Sequence, residues 1–547
     1  MPTKNTITAL IFCFLGFESF AQKDTLKKQT IDITSSYKPV LRNTVKINFS
    51  ASNLTADTSK ITLLYSIPAQ NLFYTYQPMS LKPLALTQDT NLDLGVRNFI
   101  KVGVGNYTTP YVSAGFSFGD GKKSLLNLNA DYISSKGKIQ YQDYSLLNIK
   151  LSGSYFTKRN EVYGSAGVSQ NDYYLYGYDH NAYTYNKSQL LQRFTDIRLK
   201  VGFKNKDLNE TGINYNPNIE VNIFRSENKL TENSLVAEVP VEKAITDELS
   251  IKLALKADLT SYSTENFIPN NIKLNNNIFA VAPELIYAKP LLSIHVGVTP
   301  TWDNSQLSVL PNIYAEAQIA DKPFLIQGGW IGRFIKNSYQ NLSTINPYLA
   351  PIASQQNTKE VELYGGLKGS VAKHFNFSAT ASFITYHNFP FFINDTAVGS
   401  SLNKFKISND SKVNDFRIHG DMSFISQDKF TVTGGLTFNG YTGMQDNAKA
   451  WGTIPLEFNA SLRWWAFKQV LLKSDLMTFS NSPYLLPGGI SRTLPGAFDL
   501  SAGVEVVINK KISAWFDINN IFNDKYQRWY NYEVYGLNIL GGVIFKF

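Results

Sequence analysis

Five histidines and one cysteine are the residues from which metal or covalent chemistry could be built. His180, His295, His374, His387 and His419 are far apart in the chain, and none stands at the short spacing that lets one element grip a metal ion. Cys13 lies in an apolar run near the N-terminus, so a chain cut after Ala21 contains no thiol. A serine or threonine nucleophile needs a histidine brought to it from a neighbouring strand, and no local motif supplies one. Gly365-Gly366 and Gly541-Gly542 precede no helix whose N-terminus could hold a phosphate; they suit bends or close strand packing. No catalytic residue, cofactor site or metal site is therefore expected. What remains is charge. Lys150, Arg198, Lys200, Lys252 and Lys256 alternate with apolar neighbours, where they either build a basic lumen that favours anionic solutes or pair with Asp and Glu.

The elements that must position these cations are strands. From about residue 96 onward, segments of roughly 9 to 14 residues alternate in polarity. Leu249, Ile251, Leu253, Leu255, Ala257 and Leu259 oppose Ser250, Lys252, Lys256, Asp258 and Thr260. Ile197, Leu199, Val201 and Phe203 oppose Asp196, Arg198 and Lys200 in the same way. A soluble sandwich gives the same alternation, so strand length and turn asymmetry must separate the two. Short polar turns such as Asp120-Gly121-Lys122, Thr246-Asp247-Glu248 and Asn509-Lys510-Lys511 alternate with long connections such as Asn337 to Lys359, His387 to Lys404, Tyr441 to Thr453 and Ser480 to Leu494. Such asymmetry predicts an all-β, transmembrane, antiparallel outer-membrane β-barrel of about 22 strands over residues 96–547. The count is open at Asn205 to Pro217 and at Lys404 to Asp415, where a bulge or an extra pair would fit.

Composition agrees with a membrane wall. Charged residues are 17% and aromatics 14% of the chain, which could furnish interfacial girdles. The formal charge of +9 fits a basic lumen, a basic periplasmic face or attraction to lipid phosphate. Lys and Arg form no stripe or arm, which argues against nucleic acid as a partner.

The two ends carry addresses. Residues 1–22 read as a secretory signal: Lys4, then the apolar run Ile7 to Phe17, then Ser19-Phe20-Ala21 before Gln22. Residues 23–95, with Pro39, Pro68, Pro78 and Pro83, read as a periplasmic or lumenal segment with little regular structure. At the other end Tyr535, Leu537, Ile539, Gly541, Val543, Phe545 and Phe547 share one apolar face of a single closing strand. Tyr535, Val543, Phe545 and Phe547 would then form the signal read by the barrel assembly machinery. Outer-membrane lipid is the other expected partner, in the outer membrane of a Gram-negative bacterium.

Two stretches resemble TonB-dependent receptors, the uptake barrels of the outer membrane. Asn520-Ile521-Phe522-Asn523-Asp524-Lys525-Tyr526 is similar to that family's Asn-Leu-Phe-Asp-x-x-Tyr loop, and Asn520, Phe522, Asp524 and Tyr526 are its candidate loop residues here. Asn346-Pro347-Tyr348-Leu349-Ala350-Pro351 is similar to its Asn-Pro-x-Leu-x-Pro-Glu loop, with Ile352 at the acidic position. Thr30-Ile31-Asp32-Ile33-Thr34 looks like the short box that contacts TonB. The resemblance implies solute uptake across the outer membrane, with TonB as a partner. It also implies a plug domain, for which residues 23–95 are short. A non-transporting barrel that scaffolds a surface lipoprotein or a secretion or assembly complex is the alternative.

Overall fold

A computed structural model describes residues 98–547 apart from 207–210, 228, 266–270, 320–323, 372–373, 396–401 and 427–428. The expected signal, the 23–95 segment and the Thr30–Thr34 box lie outside the described residues.

Neighbouring segments pair antiparallel in chain order, and the sheet then closes on itself. The first strand, Phe99–Gly105, pairs both with the second, Thr109–Gly119, and with the last, Asn538–Lys546. Closure gives the 22-strand antiparallel barrel that the alternation predicts. One wall strand is broken, Ile213–Tyr215 resuming as Asn218–Ser226. Both halves keep one register against Leu230–Ala244, from Tyr215 opposite Val241 to Asn218 opposite Glu238. The gap contains Pro217, which has no N–H to give, and faces Pro240, which has none either. The other open stretch is an extra pair: Phe389–Asn394 and Phe405–Asp410 form a hairpin that stands outside the wall.

The closing strand is shorter than the expected one. It begins at Asn538, and Tyr535 to Leu537 belong to the preceding loop. The reason is a competing set of hydrogen bonds: Asn520 Nδ2 takes the Tyr535 carbonyl at 2.9 Å, and Asn523 Oδ1 takes the Leu537 N–H at 2.9 Å. Tyr535 instead places its hydroxyl on the carbonyls of Gln142 and Ser135.

Seam packing explains three glycines. A Cβ on Gly103 would lie 2.3 Å from Trp515 Cζ2, and one on Gly542 would lie 1.9 Å from the Val102 carbonyl oxygen. Without side chains there, Trp515 lies across the first strand, donates to the Val102 carbonyl at 3.2 Å, and has Lys101 Nζ 4.0 Å from its ring centroid. Gly541 continues the same close approach, its carbonyl 2.8 Å from a Cβ on Gly103.

Alternation sorts the wall into two faces. Ile251, Leu253 and Leu255 are 49%, 43% and 43% exposed, forming with Ile197, Leu199 and Val201 an apolar outer belt. No helix among the described residues is long and apolar enough to cross a membrane; the strands do the crossing. An arginine on the belt should therefore be costly. Leu255→Arg is expected to destabilise the folded barrel in phosphatidylcholine vesicles by about 2–4 kcal/mol in urea titration. Lys256→Gln, on the inner face of the same strand, should cost less than about 1 kcal/mol.

Candidate functional site: a loop-capped lumen

The inner face is a wall of paired charge. Lys200 and Glu220, Lys252 and Glu284, and Lys256 and Glu238 are direct cross-strand neighbours, with N–O distances of 3.8, 3.5 and 3.1 Å. Arg198 reaches both Asp196 at 3.3 Å and Glu220 at 3.4 Å. Four of the five cations singled out in the sequence thus sit beside carboxylates. Lys150 makes no ion pair among the described residues; it lines a shallow recess of about 340 Å³ with Lys200, Lys204, Glu161 and Tyr163. The five share one sector-spanning wall and do not converge on a point.

Two hydroxyl–imidazole–carboxylate arrays, which sequence reasoning missed because they depend on register, also face inward. Ser293 Oγ lies 3.0 Å from His295 Nε2, and His295 Nδ1 lies 2.5 Å from Glu284 Oε1. Thr437 Oγ1 lies 2.9 Å from His419 Nδ1, whose Nε2 is 2.8 Å from Asp421. Relays of this kind can activate a nucleophile. Acyl transfer also needs paired donors aimed at the developing oxyanion. Ser293 and Thr437 lie inside central strands, each flanked by partners on both sides, so the backbone N–H groups around them are committed to the ladder. Glu284 is moreover shared with Tyr314 and Lys252. The arrays act as cross-strand ties within the charged wall.

At the loop end the chain does something the alternation does not foretell. Loop 175–190, the neighbouring loops 336–357 and 388–412, and loop 520–537 leave three separate parts of the circumference yet bury their aromatics together. Tyr348 and Tyr532 stack with centroids 3.5 Å apart, and Tyr176 sits 6.2 and 5.1 Å from them. Trp529 packs on Phe392 at 5.2 Å and on Phe405 at 5.3 Å. Leu175, Leu349 and Tyr532 are fully buried. Side chains rooted on distant strands can meet only if their loops reach across the mouth, so these loops cap the lumen. Burial raises the phenols of Tyr348 and Tyr532 well above their ordinary range, and both remain neutral.

The sequence motifs are the cap's framework. Ser338 caps the helix Tyr339–Ile345 by accepting the Asn341 N–H at 3.2 Å. Glu232 on the inner wall accepts the next N–H groups, those of Tyr339 and Gln340, at 2.8 and 3.2 Å. Asn346 then turns the chain, its Oδ1 accepting the Tyr348 N–H at 3.0 Å, and Ala350 and Tyr348 bond to Phe405 on the extra hairpin. In the other motif Asn520 and Asn523 adopt φ of 49° and 54°, which asparagine tolerates. Asn520 binds the Asp524 carbonyl at 2.7 Å and N–H at 2.9 Å, while Tyr526 donates to Asp499 at 3.1 Å. Phe522 is 61% exposed and packs near Phe498 at 5.5 Å. Asp410 clamps one further loop: its carboxylate accepts the N–H groups of Gln445, Asp446 and Asn447 at 2.9, 3.0 and 2.8 Å. Burial pushes that carboxyl up, but these donors outweigh it and hold it below the usual carboxylate range.

Among known proteins, no family model and no curated relative matches the sequence. Solved structures do match in fold. The FrpB iron transporter from Neisseria meningitidis aligns with a TM-score of 0.63 at 10% identity, over 82% of this chain and 81% of that one. The siderophore receptor PirA from Acinetobacter baumannii gives 0.61 at 10%, over 82% and 80%. The copper transporter OprC gives 0.59 at 12%, over 83% of each chain. At these identities the likeness is one of fold: the chain has the closed barrel of outer-membrane receptors and transporters, as the two loop motifs implied.

Two outcomes follow from the cap's chemistry. Tyr532→Ala is expected to cost about 3–5 kcal/mol in cap stability and to speed proteolysis of the cap loops while the barrel stays heat-modifiable on gels. For Asp410 the depressed pKa means its clamp contributes above the unfolded carboxylate pKa and is lost as pH falls through the lower folded value. Loop protection should therefore weaken in acid for the native chain, and Asp410→Asn should remove that dependence.

Proposed function

We propose that this chain is an outer-membrane uptake barrel of the TonB-dependent receptor type, and that its loop cap is the outer gate through which a solute enters. The observation that carries this reading is the shared aromatic core of the loops. A barrel of this strand number encloses a lumen too wide to be filled by wall side chains alone. A passive pore would be served by an open mouth, whereas gated uptake needs one that closes and yields. The named neighbours handle iron, a siderophore and copper, which makes metal-chelate uptake the first class to test. The polar, ion-paired wall suits passage of hydrated solutes and offers no reaction centre, so covalent chemistry is not part of the proposal.

Residues 1–22 would direct export, residues 23–95 would supply a short lumenal or periplasmic segment, and Thr30–Thr34 would engage TonB. Tyr535 would tie the last loop down, while Val543, Phe545 and Phe547 would present the outer face to lipid and to the assembly machinery. Uptake is tested directly in an iron-starved host lacking its own receptors, using radiolabelled iron as ferric enterobactin and as simpler chelates. Accumulation above an empty-vector control, abolished by Ile31→Pro or by loss of TonB, is the expected result. No accumulation of iron or copper chelates, together with a stable co-purifying partner, would favour the scaffold reading instead.

A further inference from the structure

The turn end of the barrel carries a cation cluster that neither gating nor solute passage uses. Lys122 and Lys123 lie in the turn after the second strand, Lys158 and Arg159 in the turn before Asn160–Tyr174, and Lys510 and Lys511 in the turn before Ile512–Asn519. All six are exposed; the first and third turns adjoin the closing seam, and the second is the next turn along the rim. The acidic residue among them, Asp120, turns its carboxylate onto the N–H groups of Lys122, Lys123 and Ser124 at 2.9, 2.7 and 3.1 Å. At the turn 245–248 the balance differs: it holds Asp247 and Glu248, and Lys289 pairs with Glu248 at 3.6 Å.

Just above the cations, on the lipid face, stand exposed aromatics. Phe118, Tyr155, Phe545 and Phe547 are 51%, 49%, 44% and 59% exposed, and Phe116 bridges Phe118 and Phe547 with centroids 6.4 and 6.1 Å away. Aromatic rings on a barrel's outer face mark the boundary between hydrocarbon and headgroups. Lysines in the turns beyond that boundary lie at the depth of lipid phosphates, where each basic residue adds to the attraction for anionic lipid. A soluble acidic partner would not require this layering of rings above cations.

We propose that the seam-side rim is a binding site for anionic phospholipid, its glycerophosphate headgroups held by Lys122, Lys123, Lys158, Arg159, Lys510 and Lys511. The site orients one lipid class around the seam and leaves the Asp247 side to neutral lipid. It is independent of what the barrel transports.

Native mass spectrometry of the full folded chain in mild detergent tests this with added phosphatidylglycerol or phosphatidylcholine. The native chain should retain phosphatidylglycerol preferentially. The variant K122Q/K123Q/K510Q/K511Q should bind it about tenfold more weakly. The charge-matched loop-end variant K138Q/K229Q/K449Q/K525Q should bind it as the native chain does. Equal weakening in both variants would mean bulk attraction, and no weakening in the first would mean no site; either overturns the proposal. Should the first variant fail to fold, judged by gel mobility, the native chain still decides the matter. Its phosphatidylglycerol retention must fall steeply with added salt, and salt-independent retention overturns the proposal.

Discussion

The fold rests on one set of backbone hydrogen bonds, those between the first strand and the last. In lipid an unpaired strand edge leaves N–H and C=O groups with no water to satisfy them, at several kcal/mol for each. Pairing Phe99–Gly105 with Asn538–Lys546 removes both edges at once. The pairing is short, and it is reinforced from inside. Trp515 crosses the seam over Gly103 and joins Leu540, Ile544, Ile133 and Tyr144 in an apolar cluster. At the joint the ladder is therefore backed by an apolar core as well.

Closure then dictates the rest. A closed sheet has one face toward hydrocarbon and one toward the lumen, so every second side chain is committed. Cations on the inner side cannot all face water undisturbed, and the register places carboxylates opposite them, as Lys252 faces Glu284 and Arg333 faces Glu360. Width is the second consequence. A ring of this size cannot be filled from its walls, so occlusion must come from segments that reach inward. On the loop end those segments are the four loops whose tyrosines, phenylalanines and Trp529 share one core.

The wall was legible in the sequence because a period of two is local: Leu249 to Thr260 announces both its faces without help from any other segment. The broken strand at Pro217 and the extra hairpin at Phe389–Asp410 were visible only as ambiguities, since a gap in pairing and an extra pair look alike until register is known. The cap was not legible. Tyr348 and Tyr532 are separated by most of the C-terminal half of the chain, and nothing local says that they stack. The two loop motifs fall in cap loops, and only the geometry shows that Asn346 and Asn520 serve as turn braces there. The Ser293–His295–Glu284 array was hidden for the same reason, its carboxylate arriving from a neighbouring strand. The error over Tyr535 had the opposite cause: alternation continued past the strand's true start, and only Asn520 and Asn523 reveal where the ladder gives way to a loop.

The claim that the loops form a closed outer gate is tested most directly by labelling a buried cap position. With Cys13 changed to Ser, Leu349→Cys and Phe522→Cys each carry a single thiol, one fully buried and one 61% exposed. In the folded barrel a membrane-impermeant maleimide should react with the Leu349→Cys thiol at least about tenfold more slowly, and adding Tyr532→Ala should erase most of the difference. Equal labelling rates at the two positions in the native background would contradict a closed cap.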